Sequence, residues 1–350
     1  MEITFKHVDW APNRQPAILK DVNFTIPDGK LVVFLGSRHS GINAVINLIA
    51  GFIRPNQGEI RFDQQTINLQ PPQARNIGFL SSEVSLYPQL NVFDNIAFPL
   101  KVLKIKKGDR QKRVRTWAQL VNVEKLLKRY PASLSPQQKC RVALARALVK
   151  KPDLLILAAP LKAVLPTERS ELQQLILHLQ ASLGITTIWT TADQDEALQS
   201  ADLIAIMHHG KIQQLATPEE LYHNPQKLFV ARFLGHPPIN VLPASLIEPA
   251  VKKYLSQDIY RHAEFVAIRP EAITLDPPDD YVAHIKAEIK RIDNFGISSA
   301  AYIQFQEQEL VSSAISDYFK QADQLTDLYF AAQGTYFFDP QGQRIAGGQL

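Results

Sequence analysis

The stretch LVVFLGSRHSGINAV at residues 31–45 decides the fold class of this chain. Its apolar beginning, LVVFLG, suits a strand that is buried on both faces of a sheet. Four residues separate Gly36 from Gly41, and the apolar residues after Gly41 recur at helical spacing. A strand, a glycine-bounded loop and a helix in this order form the outline of a phosphate-binding loop, although an ordinary strand-to-helix turn has the same outline. The surrounding segments must decide between the two interpretations.

Segments on both sides of this stretch alternate between strand and helix patterns. Before it, EITFKHVDW and VNFTIPDG alternate apolar and polar residues, as half-buried strands do. After it, the patterns predict a strand pair at 58–68, short helices at 92–130, a helix at 134–151, a buried strand at 152–160, an amphipathic helix at 171–184, and strands at 185–192 and 203–216. Strands that alternate with helices predict an α/β sheet.

The pattern changes near residue 236, where HPPINVLPA is proline-rich and typical of a linker. Short alternating segments separated by turn residues follow it, namely FVAIRPEAITL, AHIKAEIKRIDNF, SAAYIQFQEQEL and GTYFFDP. We therefore predict a first domain over residues 1–235, with a helical subdomain at about 90–150, and a small β-rich domain over 236–350.

Composition excludes several classes of protein. The net charge of +4 over 350 residues is too small to indicate nucleic-acid binding. Cys140 is the only cysteine, so the chain has no internal disulfide, which suits a reducing cytosol. No apolar run approaches the roughly 20 residues that span a bilayer, and the N-terminus lacks the apolar core of a signal peptide. If the protein works at a membrane, we expect another chain to provide the membrane part.

Basic residues gather in KVLKIKKGDRQKRVR, between Lys101 and Arg115. One interpretation is a solvated helix face. The other is a weak attraction toward anionic lipid headgroups. The sequence leaves both open.

Several long segments together resemble one family. They are SEVSLYPQLNVFDNIAFPLK at 82–101, LSPQQKCRVALARALVKKPDLLILAAPL at 134–161, TTADQDEALQSADLIAIMHHGKI at 190–212, TPEELYHNPQKLFVARFLGHPPINVLP at 217–243, IRPEAITL at 268–275 and FFDPQGQRI at 337–345. In this order the chain resembles, over nearly its whole length, the ATPase subunits of ATP-binding-cassette (ABC) importers of the maltose, glycerol-phosphate and glycerol type. The resemblance implies an α/β P-loop NTPase domain with a helical subdomain, followed by an OB-like regulatory β domain.

The resemblance assigns the nucleotide phosphates to the loop Gly36, Ser37, Arg38, His39, Ser40, Gly41, Ile42 and Asn43. Ile42 stands where the family has its phosphate-binding lysine, and Asn43 stands where it has a Mg²⁺-binding hydroxyl. Loss of a cation at about 4 Å forfeits on the order of 4 kcal/mol at an effective dielectric constant near 20. Asn43 offers Mg²⁺ only a neutral amide oxygen. Arg38 and His39 either touch an anion or are ordinary exposed loop residues.

The catalytic positions are also changed. Ala158 and Ala159 occupy the Walker B aspartate and glutamate positions, and Ala192 occupies that of the switch histidine. None of them can bind a metal or accept a proton, so we predict no catalytic residue and no metal site. Ser82 replaces the Q-loop glutamine and Leu165 replaces the D-loop aspartate. Because the apolar segments between these motifs keep their pattern, we predict that the fold is retained and hydrolysis is lost.

The resemblance implies that the signature, here LSPQQ, faces the nucleotide of a partner subunit. Ser135 and Gln138 are retained, whereas Pro136 and Gln137 replace two glycines. Proline removes one N–H donor, and Gln137 adds bulk where the backbone would approach phosphate. Trp10 is the aromatic residue nearest the adenine position, and it is either an adenine platform or part of the local packing.

These residues and the resemblance together predict the ATP-binding subunit of an importer for a sugar or polyol, with glycerol as the leading candidate. It would be inactive alone and pair with an active ATPase subunit, with ATP and Mg²⁺ acting mainly in the partner's site. The other predicted partners are two transmembrane permeases, docked at Ser82–Phe98, and indirectly a solute-binding protein, but no nucleic acid. The predicted location is the cytoplasmic face of the bacterial inner membrane. The alternative is a regulatory or scaffolding protein that kept the fold; a slow true ATPase is disfavoured by the paired alanines.

Overall fold

A computed structural model describes the following parts of the chain: residues 1–13, 15–247, 261–294, 299–315 and 325–345. The chain forms two compact units, residues 1–217 and residues 218–350. The division therefore falls before residue 235, where the sequence places the domain boundary.

Strands and helices alternate through most of the first unit. Its strands are β1 Ile3–Trp10, β2 Leu19–Ile26, β3 Leu31–Leu35, β4 Gln57–Phe62, β5 Gln65–Thr66, β6 Ile77–Leu80, β7 Leu154–Ala158, β8 Thr186–Thr191, β9 Leu203–His208 and β10 Lys211–Ala216. Its α-helices are α1 Ile42–Ala50, α2 Val92–Val102, α3 Lys107–Leu120, α4 Pro136–Leu148, α5 Pro166–Leu183 and α6 Gln194–Ser200.

The larger sheet of the first unit has the strand order β10-β9-β3-β8-β7-β6. All neighbouring strands are parallel except β10, which runs antiparallel to β9 at one edge. Every residue of β3 and β8 is buried, as expected for parallel strands covered on both faces. The carboxyl ends of β3, β8 and β7, at Leu35, Thr191 and Ala158, lie at one edge of this sheet. We call it the carboxyl edge.

A second, antiparallel sheet of order β2-β1-β4-β5 shares the core of the first unit. One apolar cluster contains residues of both sheets and of α1. Phe5 stacks on Phe24 with 4.4 Å between ring centroids, and Phe24 meets Phe34 edge to face at 5.5 Å. The larger sheet is thereby fixed against the smaller one by aromatic contacts.

Helices α2, α3 and α4 lie within the predicted helical subdomain. The buried Arg141 of α4 donates a hydrogen bond from Nη1 to the Val121 carbonyl oxygen, 3.1 Å away, just after α3. In α3 itself only Val114, Trp117 and Ala118 are buried. Most of the surface of α3 is therefore exposed.

The second unit is rich in strands. It begins with two short helices, α7 Pro218–His223 and α8 Leu228–Phe233, and continues with β11 Asn240–Pro243, β12 Phe265–Ile268, β13 Ile273–Thr274, β14 Tyr281–Asn294, β15 Ser299–Phe305, β16 Gln308–Ser312, β17 Leu325–Ala331 and β18 Thr335–Phe338. The strands form one sheet of order β11-β12-β18 and another of order β13-β17-β14-β15-β16. The predicted β-rich C-terminal region is confirmed, and its OB-like and regulatory character stays a prediction.

A buried arginine explains why residues 218–235 belong to the second unit. Arg269 is 1% exposed and follows β12. Its guanidinium donates to the carbonyl oxygens of Tyr222 at 2.8 Å, Ala231 at 3.3 Å and Leu234 at 2.5 Å. These bonds tie α7 and α8 to the strands. The predicted linker is also corrected, because HPPINVLPA contains β11.

Candidate nucleotide site

The glycine-bounded loop that the sequence predicts is formed at the carboxyl edge, between β3 and α1. A Cβ on Gly36 would lie 2.7 Å from the Met207 carbonyl oxygen, closer than real Cβ atoms come. Gly41 caps α1 in the left-handed region, at φ 101°. A side chain at Gly41 would also meet the Leu19 side chain at 2.9 Å. Both glycines are therefore required by the backbone of this loop.

Within the loop, Ser37, Arg38 and His39 are exposed and Ser40 is buried. The Ser40 amide donates to the Ser37 carbonyl oxygen at 3.2 Å, and its own carbonyl accepts from the Gly210 amide at 2.9 Å. The loop is thus held through its backbone by the turn between β9 and β10. Arg38 and His39 are open to solvent, and the binding of phosphate by this loop stays a prediction.

The first two residues of α1, Ile42 and Asn43, carry no charged side chain. Ile42 is 8% exposed and belongs to the apolar cluster of the first unit. Asn43 is exposed. A cation at the start of the helix would balance the charge of a phosphate. Ile42, which is uncharged and packs in the core, cannot do so.

Walker B ends in two half-buried alanines. Ala158 is paired with Thr190 of β8, and Ala159 lies just beyond β7 with φ 46°. The Ala159 amide donates to the carbonyl oxygen of Thr190 at 3.0 Å and to its hydroxyl at 3.1 Å. Ala192 follows β8 and is exposed. Parallel pairing therefore brings these three alanines and the glycine loop to one edge, the usual place for ligands in open α/β sheets.

A half-buried carboxylate lies beside this edge, and sequence reasoning missed it. Glu196 of α6 accepts hydrogen bonds from the Trp189 indole N–H at 2.5 Å and from the Thr191 hydroxyl at 3.1 Å. Burial raises the pKa of Glu196, although both hydrogen bonds act to lower it. Asp193, with one side-chain oxygen, caps α6 by accepting from the Asp195 and Glu196 amides. The signal available in the sequence was the acidic start of a helix directly after a buried strand.

The signature forms the start of α4. Ser135 and Gln138 make a reciprocal cap, in which the Ser135 hydroxyl oxygen accepts from the Gln138 amide at 3.2 Å and the Gln138 side chain accepts from the Ser135 amide at 3.1 Å. Pro136 is the first residue of the helix, a position that suits proline. The Ser135 hydroxyl proton takes no part in this cap, so Ser135 keeps a donor.

The Gln137 side chain is turned toward α5. Its amide nitrogen donates to Glu171 Oε2 at 2.9 Å, and the other oxygen of Glu171 pairs with Arg141 at 3.0 Å. The bulk of the glutamine, which we expected beside phosphate, is therefore held by a neighbouring helix.

Three remaining candidates are scattered. Ser82 is half-buried just after β6. Leu165 is 59% exposed directly before α5. Trp10 ends β1, on the antiparallel sheet, where it is partly buried and packed against the apolar cluster. Trp10 thus takes part in local packing, and its role as an adenine platform stays a prediction.

One buried asparagine, Asn95, holds the backbone of the predicted docking segment 82–98 by hydrogen bonds. Asn95 is 0% exposed; its side-chain oxygen accepts from the Tyr87 amide at 2.8 Å, and its nitrogen donates to carbonyl oxygens of Tyr87, Leu90 and Asn91. This network fixes the loop before α2. It presents Tyr87, which is 41% exposed and lies 4.5 Å from Phe98 between ring centroids.

Comparison with known proteins identifies the family. The sequence pattern described as ABC transporter matches residues 19–162. The trehalose import ATP-binding protein SugC of Mycobacterium tuberculosis is 34% identical over 285 residues, covering 78% of this chain and 72% of SugC. The chain belongs to the ABC transporter family. Membership of this family implies ATP as the ligand of the domain, typically with Mg²⁺, and permeases as partners.

Two solved ABC structures resemble the chain. One is cbiO1 from Clostridium perfringens, part of the ABC transporter complex cbiONQ, with TM-score 0.60, 26% identity, and coverage of 63% of this chain and 90% of cbiO1. The other is the ATP-binding cassette MJ0796 in a dimeric post-hydrolysis state with ADP and Pi, with TM-score 0.56, 25% identity, and coverage of 62% and 98%. The predicted ABC-type α/β fold is confirmed. No helix in the described residues has the length and apolarity to cross a membrane.

The Mg²⁺ that usually accompanies ATP in the ABC family does not fit this chain's own edge. Mg²⁺ prefers carboxylate and other oxygen ligands in octahedral geometry. Ala158 and Ala159 supply none, and the oxygens of Glu196 are engaged by Trp189 and Thr191. In the described ranges no three His, Cys, Asp or Glu residues are grouped so that they could hold a metal ion.

Proposed function

We propose that this chain is a hydrolysis-deficient ATP-binding subunit of an ABC importer, and that it pairs with a second, active ATPase subunit. The observation that carries the proposal is the carboxyl edge, where the backbone of the phosphate loop is intact while Ile42, Ala158 and Ala159 replace the reacting side chains. Random substitution without selection would have changed core residues as well as the reacting residues. The core strands β3 and β8 are nevertheless fully buried.

The signature supports a role in the partner's site. Helix α4 starts at a complete cap, so its N–H groups and positive end are oriented before any nucleotide arrives. Ser135 keeps a hydroxyl donor, and Gln137 is held on α5 by Glu171. In this arrangement the chain supplies the signature to ATP bound by its partner, and its own loop contributes no hydrolysis.

The segment 82–98 is the proposed docking site for a permease. Asn95 holds its backbone, and Arg146 braces it by donating to the Ser85 carbonyl oxygen at 2.7 Å and lying 5.3 Å from the Tyr87 ring centroid. A rigid loop with an exposed aromatic side chain suits an apolar protein contact. Docking to a permease would place the chain at the cytoplasmic face of the inner membrane.

A sugar or polyol is the proposed solute. SugC, the relative at 34% identity, is named for trehalose import, which supports a sugar. The resemblance to glycerol importers, which carry two different ATPase subunits, supports glycerol or a related polyol. Uptake of labelled trehalose and labelled glycerol by cells with and without the gene compares the two directly.

The test of the pairing is an ATPase assay on the complex purified with its permeases and second ATPase subunit. We expect no phosphate release from this chain alone, and loss of activity when the partner's phosphate-loop lysine is removed. Ser135→Ala in this chain should lower the rate of the complex about tenfold, as loss of one hydrogen bond to a charged group does. Transport that survives removal of the partner's lysine would disprove the pairing.

A further inference from the structure

Unpaired cations cluster on α3 and on the turn that precedes it. They surround the turn between α2 and α3 and continue along α3, and we call them the basic patch: Lys104, Lys106, Lys107, Lys112, Arg113 and Arg115. Within the parts of the chain that the structure describes, none of the six pairs with a carboxylate. Lys101, by contrast, pairs with Asp94 at 2.7 Å. The patch therefore keeps its positive charge available at the surface.

The start of α3 is electrostatically unfavourable. Lys106 stands at the cap position without a side-chain hydrogen bond, and Lys107 is the first helical residue. Asp109 is the acidic residue of the first turn. Helix N-termini carry partial positive charge and favour anions, so two lysines here reduce the stability of the helix. Local arrangements that work against stability are expected where function requires them.

Exposed apolar side chains lie directly beside these cations. Val102, the last residue of α2, is 66% exposed, and Leu103 is 55% exposed. Lysines next to exposed aliphatic residues complement an anionic lipid surface, where phosphates meet the cations and the acyl boundary receives the apolar groups. A nucleic acid offers phosphates but no apolar layer for Val102 and Leu103.

From this charge complementarity we propose that the basic patch, together with Val102 and Leu103, binds the anionic phospholipid headgroups of a membrane. The biological setting of this contact rests on the proposed function. Helix α2 begins in the docking segment 82–98 and ends at the patch about 16 Å away, at 1.5 Å per residue. Contact with lipid would strengthen the attachment of the subunit to the membrane beyond that given by binding to the permease.

The experiment is cosedimentation of the full chain with vesicles of phosphatidylcholine alone and of phosphatidylcholine with about 30% phosphatidylglycerol. We expect binding only to the anionic vesicles, weakened at high salt as screening requires. Removing two cations in Lys104→Gln with Lys107→Gln should lower the partition coefficient on the order of 25-fold, about fivefold per cation.

Two further variants separate the contributions. Lys6→Gln with Lys20→Gln removes the same charge from exposed strand positions and should change binding less than about twofold. Val102→Ser with Leu103→Ser should weaken binding about tenfold while keeping its salt dependence.

Equal binding to neutral vesicles, or an equal loss in the Lys6 and Lys20 variant, would overturn the proposal. The proposal would also be overturned if an oligonucleotide bound through Lys104 and Lys107 and anionic vesicles did not bind. That result would assign the patch to nucleic acid. Because the chain is tested alone, either result leaves the ATPase test of the pairing undecided, and failure of that test leaves vesicle binding unaffected.

Discussion

The two ends of α1 carry opposite chemistry. At its C-terminus the buried Arg75 donates to the carbonyl oxygens of Leu48 at 2.6 Å and Ile49 at 2.7 Å. At its N-terminus, where the ABC family places a lysine for phosphate, Ile42 is packed into the core. A cation is present only at the C-terminal end, where it satisfies backbone carbonyl oxygens. The comparison teaches that, in α1, charge serves the fold at one end and is missing at the end where a phosphate would bind.

Removal of the guanidinium at the C-terminal end should have the largest effect. Arg75→Met removes the side-chain donor of the carbonyl oxygens of Leu48, Ile49, Ile67 and Gln70. Leu48 and Ile67 keep one backbone donor each, from Gly51 and Gln70, and each buried group left unsatisfied costs about 1–3 kcal/mol. We expect a loss of at least about 3 kcal/mol in the free energy of unfolding, measured by urea denaturation. The exposed Arg54→Met should change it by less than about 0.5 kcal/mol.

Restoring the family lysine at the N-terminal end should reduce stability and not restore catalysis. Ile42→Lys places an ammonium where the side chain is 8% exposed, which we expect to cost about 1–2 kcal/mol after its stem reaches toward water. ATP hydrolysis by the chain alone should stay at background because Ala158 and Ala159 remain. Asn43→Lys, at the next and exposed position, is the control and should leave stability nearly unchanged. A rise in phosphate release with Ile42→Lys alone would refute our account of the site.

The carboxylate beside the same edge gives a smaller, pH-dependent effect. Because burial raises the pKa of Glu196 above 4.5, the folded state holds a proton that the unfolded state has released in the window just above pH 4.5. Stability therefore falls as pH rises through that window. Glu196→Gln keeps hydrogen-bond partners for Trp189 and Thr191 and removes the ionisable group. At neutral pH the variant should therefore have a free energy of unfolding on the order of 1 kcal/mol higher. This gain in stability should vanish below pH 4.5, which thermal unfolding followed by tryptophan fluorescence at several pH values would measure. A gain that is constant with pH would contradict this account of Glu196.

The smallest expected effect is at the Walker B glutamate position. Ala159 has φ 46°, a left-handed conformation that costs a residue with a Cβ about 1 kcal/mol. Ala159→Gly removes that cost and should raise the free energy of unfolding by about 0.5 kcal/mol net of the added chain entropy. The control is Ala163→Gly, at an exposed turn position without positive φ. It should instead lower the free energy of unfolding by a few tenths of a kcal/mol, roughly the entropic penalty of glycine alone. Chemical denaturation of both variants side by side would show whether the signs differ.

The sequence predicted the backbone of the site better than its surroundings. An apolar run, two glycines at a fixed interval and the alternation of strands and helices are local patterns, and they located the loop at Gly36–Gly41 and the α/β sheet. Arg75 was missed because its partners Leu48 and Ile49 lie 27 and 26 residues away. The hydrogen bond from Arg269 to Ala231, 38 residues back, was missed for the same reason. The Glu196 pair with Trp189 depends on a helix folding back over a strand, which a pattern of residue types does not specify.

Pro136 has a consequence for assembly. Its ring fixes φ near −65° at the first residue of α4, so this turn has little conformational freedom to lose when another chain closes on it. Surfaces that are ordered in advance bind with a smaller loss of entropy. In the proposed pairing, the residue that deprives the signature of a hydrogen-bond donor therefore also lowers the entropy that is lost when the partner subunit binds.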